Sequence, residues 1–298
     1  MVALVVTALA GLLAGCSGDD EAPAARMGTS GSPSGVTSGV TDTIAPPTSA
    51  ASTTAPLDPE LEDIIAGAGM TDLGRRLFLS ADPSVEDPAT LATSCTDVDA
   101  TAGPDGAHTF GCLIDGQIHL RSFAEPQVAD LVYVVAAHEL LHVVYGRMTR
   151  AQRLAIDPEL AAARDGNAIL EERLEVYAAV DEDTPNEIHS LLGTEFADLS
   201  PVLEEHYGEY FDRDRVLSVF RRTLGDREDE IRGLKASITE MEAQLDAIQA
   251  ELDAQDASGD LAGYNANVSR FNALVAVHNA DVRRVNELVD EDNRLTGN

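Results

Sequence analysis

The sequence predicts an α+β fold, mainly helical, with one small antiparallel sheet and a C-terminal antiparallel coiled-coil hairpin. Three observations predict it. The run over 128–148 is apolar on nearly every side, as expected of a helix buried all round. Two alternating segments within 109–123, carrying Phe110, Leu113 and Ile114, then Ile118, Leu120 and Phe123, flank Asp115-Gly116, a strong hairpin signal. From Asp226 onward Ile231, Leu234, Ile238, Met241, Leu245, Ile248 and Leu252 recur at alternating spacings of three and four. Beyond a turn at 256–260, Tyr264, Val268, Phe271, Val275, His278, Val282 and Val285 repeat the seam.

Charge narrows the function classes before any motif is read. The 298 residues carry 52 acidic and 20 basic side chains, a formal charge of -32. Such a chain is repelled by nucleic acid and by anionic headgroups, so neither is expected as an electrostatic partner. A hydrophobic fraction of 44% is that of a folded protein.

In chain order, 1–14 is an apolar run too short to span a bilayer. It ends in Leu13-Ala14-Gly15-Cys16, which resembles the bacterial lipobox, although no basic residue precedes the run. That resemblance implies that 1–16 is a lipoprotein signal peptide, that Cys16 carries a lipid, and that the protein is anchored to the extracytoplasmic face of the cell membrane. Residues 17–56 are almost wholly Ser, Thr, Gly, Pro, Ala and Asp, too poor in apolar side chains to offset ordering entropy, and read as a flexible tether. The other two cysteines, Cys95 and Cys112, are expected to form a disulfide in an exported protein, with free thiols or extra metal ligands as the alternatives.

The folded domain is expected over 57–225 and the coiled-coil hairpin over 226–298. Asp58-Pro59 opens a helix that places Leu61, Ile64 and Ile65 on one face. A second helix follows Thr71 with Leu73, Leu77 and Phe78.

Inside the buried helix stands His138-Glu139-Leu140-Leu141-His142. Residues four apart share a helical face, so the two imidazoles project together as half of a zinc site. Glu139 stands beside them as general base for a zinc-activated water. A catalytic zinc takes a third protein ligand. A helical segment over 158–180 contains Glu171, Glu172 and Glu175, which fall off its apolar stripe and read as a solvated face. Thr184 and Pro185 then start another helix, with Glu187 at the capping-box position. On that helix Ile188, Leu191, Leu192, Glu195 and Leu199 form one stripe. A carboxylate in an apolar face needs a cation, so Glu195 is the expected third ligand, with His189 as the alternative if Gly193 breaks the helix.

This arrangement resembles the gluzincin branch of zinc metallopeptidases, in which a glutamate on a second helix completes the site. The likeness covers 57–224 and departs from thermolysin-like members in their Asn-Glu-x-x-Ser-Asp segment: Asn186-Glu187-Ile188-His189-Ser190 is followed by Leu191. The resemblance implies a zincin-like fold, Zn2+ as cofactor and a peptide or protein substrate. It also gives the 117–121 strand a role as an edge to which substrate backbone pairs, the alternative being a hairpin that only covers the core. His206 and Tyr207 are candidates for oxyanion stabilisation or substrate positioning. A different class of function is also open: a tethered binding or scaffold lipoprotein that recruits a partner or dimerises through the coiled coil, with the metal structural or vestigial.

Overall fold

In the computed structural model, residues 2–6, 57–95, 108–177 and 184–296 are described. Cys16 and the 17–56 tether lie outside these residues. The chain is mainly helical with one small sheet. Helix α1 (Pro59–Gly67) begins where the Asp58 side chain accepts from the Glu60 amide at 2.9 Å and Pro59 takes the first turn. The same logic starts α2 (Asp72–Leu79), capped by Thr71, and α3 (Pro88–Ser94), capped by Asp87.

The sheet comprises β1 (Val2–Val6), β2 (Ser84–Glu86), β3 (His108–Ile114) and β4 (Gln117–Arg121), in the spatial order β1-β3-β4-β2. Asp115 and Gly116 take positive φ of 51° and 83°, the left-handed pair that a tight hairpin between β3 and β4 needs. Two expectations change here. The sheet is mixed, because β2 runs parallel to β4, while β3 is antiparallel to both β1 and β4. And β4 is no edge: it is hydrogen-bonded on both sides, leaving no row of free amides for a substrate.

Helix α4 (Leu131–Arg147) is buried on nearly every side, as its sequence predicts. It packs against α1, α2 and the sheet, and against α7 (Thr184–Glu195) and α9 (Arg213–Phe220). Gly111 of β3 faces it: a side chain there would meet Val135 at 2.6 Å and Glu139 Oε1 at 3.0 Å. The next residue, Cys112, points to the opposite face and is bonded to Cys95 after α3. The expected disulfide therefore pins α3 to the middle of a strand, with a Cα–Cα separation of 6.1 Å.

The single helix expected over 158–180 is two helices, α5 (Arg150–Arg164) and α6 (Ala168–Tyr177). A Thr149 and Gln152 capping box starts α5 ahead of Pro158, and Gly166 at φ 73° separates the pair. Helix α7 runs unbroken through Gly193, where a side chain would collide with Leu141 of α4 and approach Tyr207 to 2.9 Å. Helix α8 (Pro201–Gly208) follows.

Helix α9 continues without a break through a π-helical turn (Arg221–Gly225) into α10 (Asp226–Ser258). Gly259 at φ 74° then turns the chain into α11 (Leu261–Thr296). The two long helices run antiparallel, joined by Arg284 to Glu230 at 2.7 Å, Ser237 to Asp281 at 3.2 Å and Asn267 to Glu251 at 2.9 Å. Asp58–Asn298 fall within one compact unit, so residue 226 marks a change of pattern rather than a gap.

Candidate metal centre

Helix α4 places His138 and His142 one turn apart with ring centroids 4.7 Å apart, and α7 faces them. The residue that meets the imidazoles is Glu187. Its Oε2 is 3.8 Å from His138 Nε2 and its Oε1 is 3.7 Å from His142 Nε2. The three side chains form the one group of this kind among the described residues with ligand atoms within 4.8 Å of each other. In a tetrahedral zinc site with bonds near 2.0–2.1 Å, neighbouring ligand atoms lie about 3.4 Å apart. The two approaches to Glu187, made to different oxygens, are slightly wider than this, and one ligand atom from each of the three residues lies within 4.8 Å of the others.

The state of the donors fits as well. His138, Glu139 and Glu187 are 0% exposed and His142 is 1% exposed. Burial, followed by His142 and His189, holds the His138 pKa well below its ordinary value. Burial likewise holds His142 down to about 3, against the opposing pull of its hydrogen bond to Asn186. Both rings are therefore neutral at physiological pH, the form that ligates. Neither ring nitrogen of His138 has a hydrogen-bond partner among the described residues, nor does His142 Nε2. Such orphaned atoms in a dry interior cost free energy unless something takes their lone pairs. His142 Nδ1, by contrast, is 3.1 Å from Asn186 Oδ1 and 3.1 Å from Ser190 Oγ. Its N–H donates to Asn186, which leaves Nε2 as the bare donor turned toward Glu187.

Comparison with family models, curated proteins and solved structures returned no match.

The other residues expected to complete the site are engaged with different partners. The buried carboxylate of Glu195 meets a cation, but that cation is Arg173, with Nε 3.2 Å from Oε2. His189 is fully buried, with Nε2 2.8 Å from His206 Nε2, so one ring donates to the other. Burial keeps His189 well below its usual pKa and brings His206 down to about 4, so both are neutral. The Tyr207 hydroxyl donates to the His189 carbonyl at 2.8 Å inside the core, which removes it as a substrate contact. Tyr145, Tyr207, His189 and His206 pack as a ring cluster that braces α4, α7 and α8. Glu139 stands on α4 between the two histidines in sequence, with its Oε1 against Gly111 of β3.

The residue that sequence reasoning missed is Glu187, together with its neighbours Asn186 and Ser190. The signal was present in the partial Asn-Glu-x-x-Ser match, and it was outweighed by a capping-box reading of Glu187.

Proposed function

We propose that this protein is a zinc-dependent metallopeptidase in which His138, His142 and Glu187 hold the ion and Glu139 is the general base. The observation that carries the reading is two neutral imidazoles and a carboxylate converging from two helices, with a second carboxylate next to the first histidine. Held by His138, His142 and Glu187, zinc would supply Lewis-acid activation of a water at neutral pH. Glu139 takes the proton of the attacking water and passes it to the leaving amine. Asn186 holds His142 in the tautomer that ligates, and Ser190 supports the same nitrogen. Gly111 keeps β3 close to Glu139. The substrate is a peptide or protein. On this reading the domain is zincin-like, Cys16 carries the lipid that holds it at the extracytoplasmic face of the membrane through the 17–56 tether, and β1, which lies in the signal segment ahead of Cys16, is lost from the sheet on maturation.

Zinc analysis of the purified chain and peptide cleavage by wild type, Glu139→Gln and Glu187→Gln test this. Wild type should carry zinc and cleave, Glu139→Gln should carry zinc without cleaving, and Glu187→Gln should lose the metal. A zinc-free wild type, or full activity in Glu139→Gln, sinks the proposal.

One observation favours a second reading. All four residues of the centre are closed off from solvent, as structural zinc sites are. The metal would then be a staple, and α10 and α11 would work as a coiled-coil arm for a partner or a second copy. Zinc binding with no cleavage of any peptide, alongside partner capture by the arm, distinguishes this from the peptidase.

A further inference from the structure

Glu195 and Glu187 stand on one helix, and Glu195 belongs to a second, unrelated cluster at its far end. Arg173 of α6 contacts Glu195 of α7 through Nε at 3.2 Å and Glu228 of α10 through Nη2 in a close ion pair. Arg227, next to Glu228, contacts Asp292 of α11 at 2.8 Å. The carboxyl-bearing residues are 8%, 4% and 7% exposed for Glu195, Glu228 and Asp292, and Arg173 is 9% exposed. Three carboxylates thus share two guanidiniums out of water. Among the described residues the surrounding charges do not restore the balance. Arg232 is engaged by Glu172 at 3.3 Å and Asp229 at 2.7 Å, and Glu291 adds a further negative charge near Asp292. Arg213 of α9 caps the end of α7 at the Leu192 and Phe196 carbonyls and is already paired with Glu204.

We propose that this cluster is a proton-operated latch between the C-terminal helix pair and the metal-bearing helix α7. With one proton bound, two carboxylates face two guanidiniums, and α6, α7, α10 and α11 are held together. When that proton leaves for solvent, a surplus negative charge is buried and the contact loosens, because an uncompensated charge is unfavourable in a poorly hydrated interior. Burial raises Glu195 to about 7, outweighing the pull of Arg173 and reinforced by Glu228. Burial raises Asp292 to about 6. A raised carboxyl pKa contributes stability that is fully present below the ordinary value and is lost as pH rises through the folded value, here between about pH 4.5 and 7. The latch is closed in mild acid and released in mild alkali. Glu228 is a positioning residue: it acts on α7 only through Arg173.

The test uses the full chain. Thermal unfolding is followed at pH 6 and pH 8 for wild type, Glu228→Gln and Glu195→Gln, with hydrogen exchange along α7 corrected for intrinsic rate. Wild type should lose roughly 5 °C between the two pH values and lose protection in α7. Glu195→Gln removes the group that gains the proton and should abolish the slope, whereas Glu228→Gln removes only the charge that reinforces burial and should flatten it. A slope that persists in Glu195→Gln, one left unchanged in Glu228→Gln, or a wild type with none, overturns the latch. If one variant fails to fold, the other and the wild-type exchange data still decide. Zinc affinity at the two pH values adds an arm that rests on the reading of the metal centre. It should fall several-fold at pH 8 in wild type only. Failure of that reading leaves no zinc bound at either pH, which is distinct from a flat unfolding profile.

Discussion

Glu187 and Glu195 separate two reasons for burying a carboxylate. Each needs a positive partner in a dry interior. For Glu195 the protein supplies one, Arg173, from another helix. For Glu187 the facing groups are two imidazoles that burial keeps neutral. Only the second arrangement brings two imidazoles and a carboxylate together as a group that could hold an ion. Glu195→Gln should therefore keep its zinc in direct metal analysis, while Glu187→Gln should lose at least about 100-fold in affinity. Asn186→Ala removes the acceptor that fixes the His142 tautomer and should weaken zinc by roughly 10–100-fold, read by chelator competition, with the fold intact. Equal loss in Glu195→Gln and Glu187→Gln would return the third ligand to Glu195.

At the scale of elements, the approach of α7 to α4 positions the candidate ligands, and Gly193 makes it possible. A Cβ there would run into Leu141 of α4 and lie 2.9 Å from Tyr207. Gly193→Ala should move the helices apart, costing about 1–3 kcal/mol in denaturant unfolding and weakening zinc at the same time. Loss of stability without loss of zinc would mean that the ligand geometry tolerates the shift. The disulfide acts at the same scale by tying α3 to β3, one residue from Gly111. Cys95→Ala with Cys112→Ala should lower stability by about 3 kcal/mol, measured the same way, from the lost constraint on the unfolded chain.

Across the whole molecule, the C-terminal helix pair is tied into the rest by buried charge. Arg121, among the Phe110 and Phe123 rings, donates to the Thr296 carbonyl at the end of α11, and Arg173 joins Glu228. Removing 226–298 would strip partners from Arg121, Arg173 and the core around Leu224. The truncated chain should fail to give a cooperative unfolding transition. A stable, zinc-binding truncation would show that the pair is an independent domain.

Much of this was legible in the sequence because it depends on neighbours along the chain. The helix starts at Asp58 and Thr71, the Asp115-Gly116 turn, the heptad spacing and the pairing of His138 with His142 all follow from local geometry, which sequence spacing encodes directly. The third ligand was not legible by the same means. A helical wheel finds the buried face only when one face is buried, and α7 is buried from Asn186 through Glu195. Its apolar stripe therefore did not mark the side turned to His138 and His142, and Glu187, Ser190 and Thr194 make up a polar stripe that faces inward as well. The interior position of β4 likewise depends on β2, a three-residue strand recruited from upstream that no local pattern announces. By itself the sequence determined the buried helix α4, the β3–β4 hairpin, the disulfide and two of the three candidate ligands. Which carboxylate faced the histidines and which faced an arginine was decided only by packing, because several helices compete to neutralise each buried charge and only their three-dimensional arrangement assigns the partners.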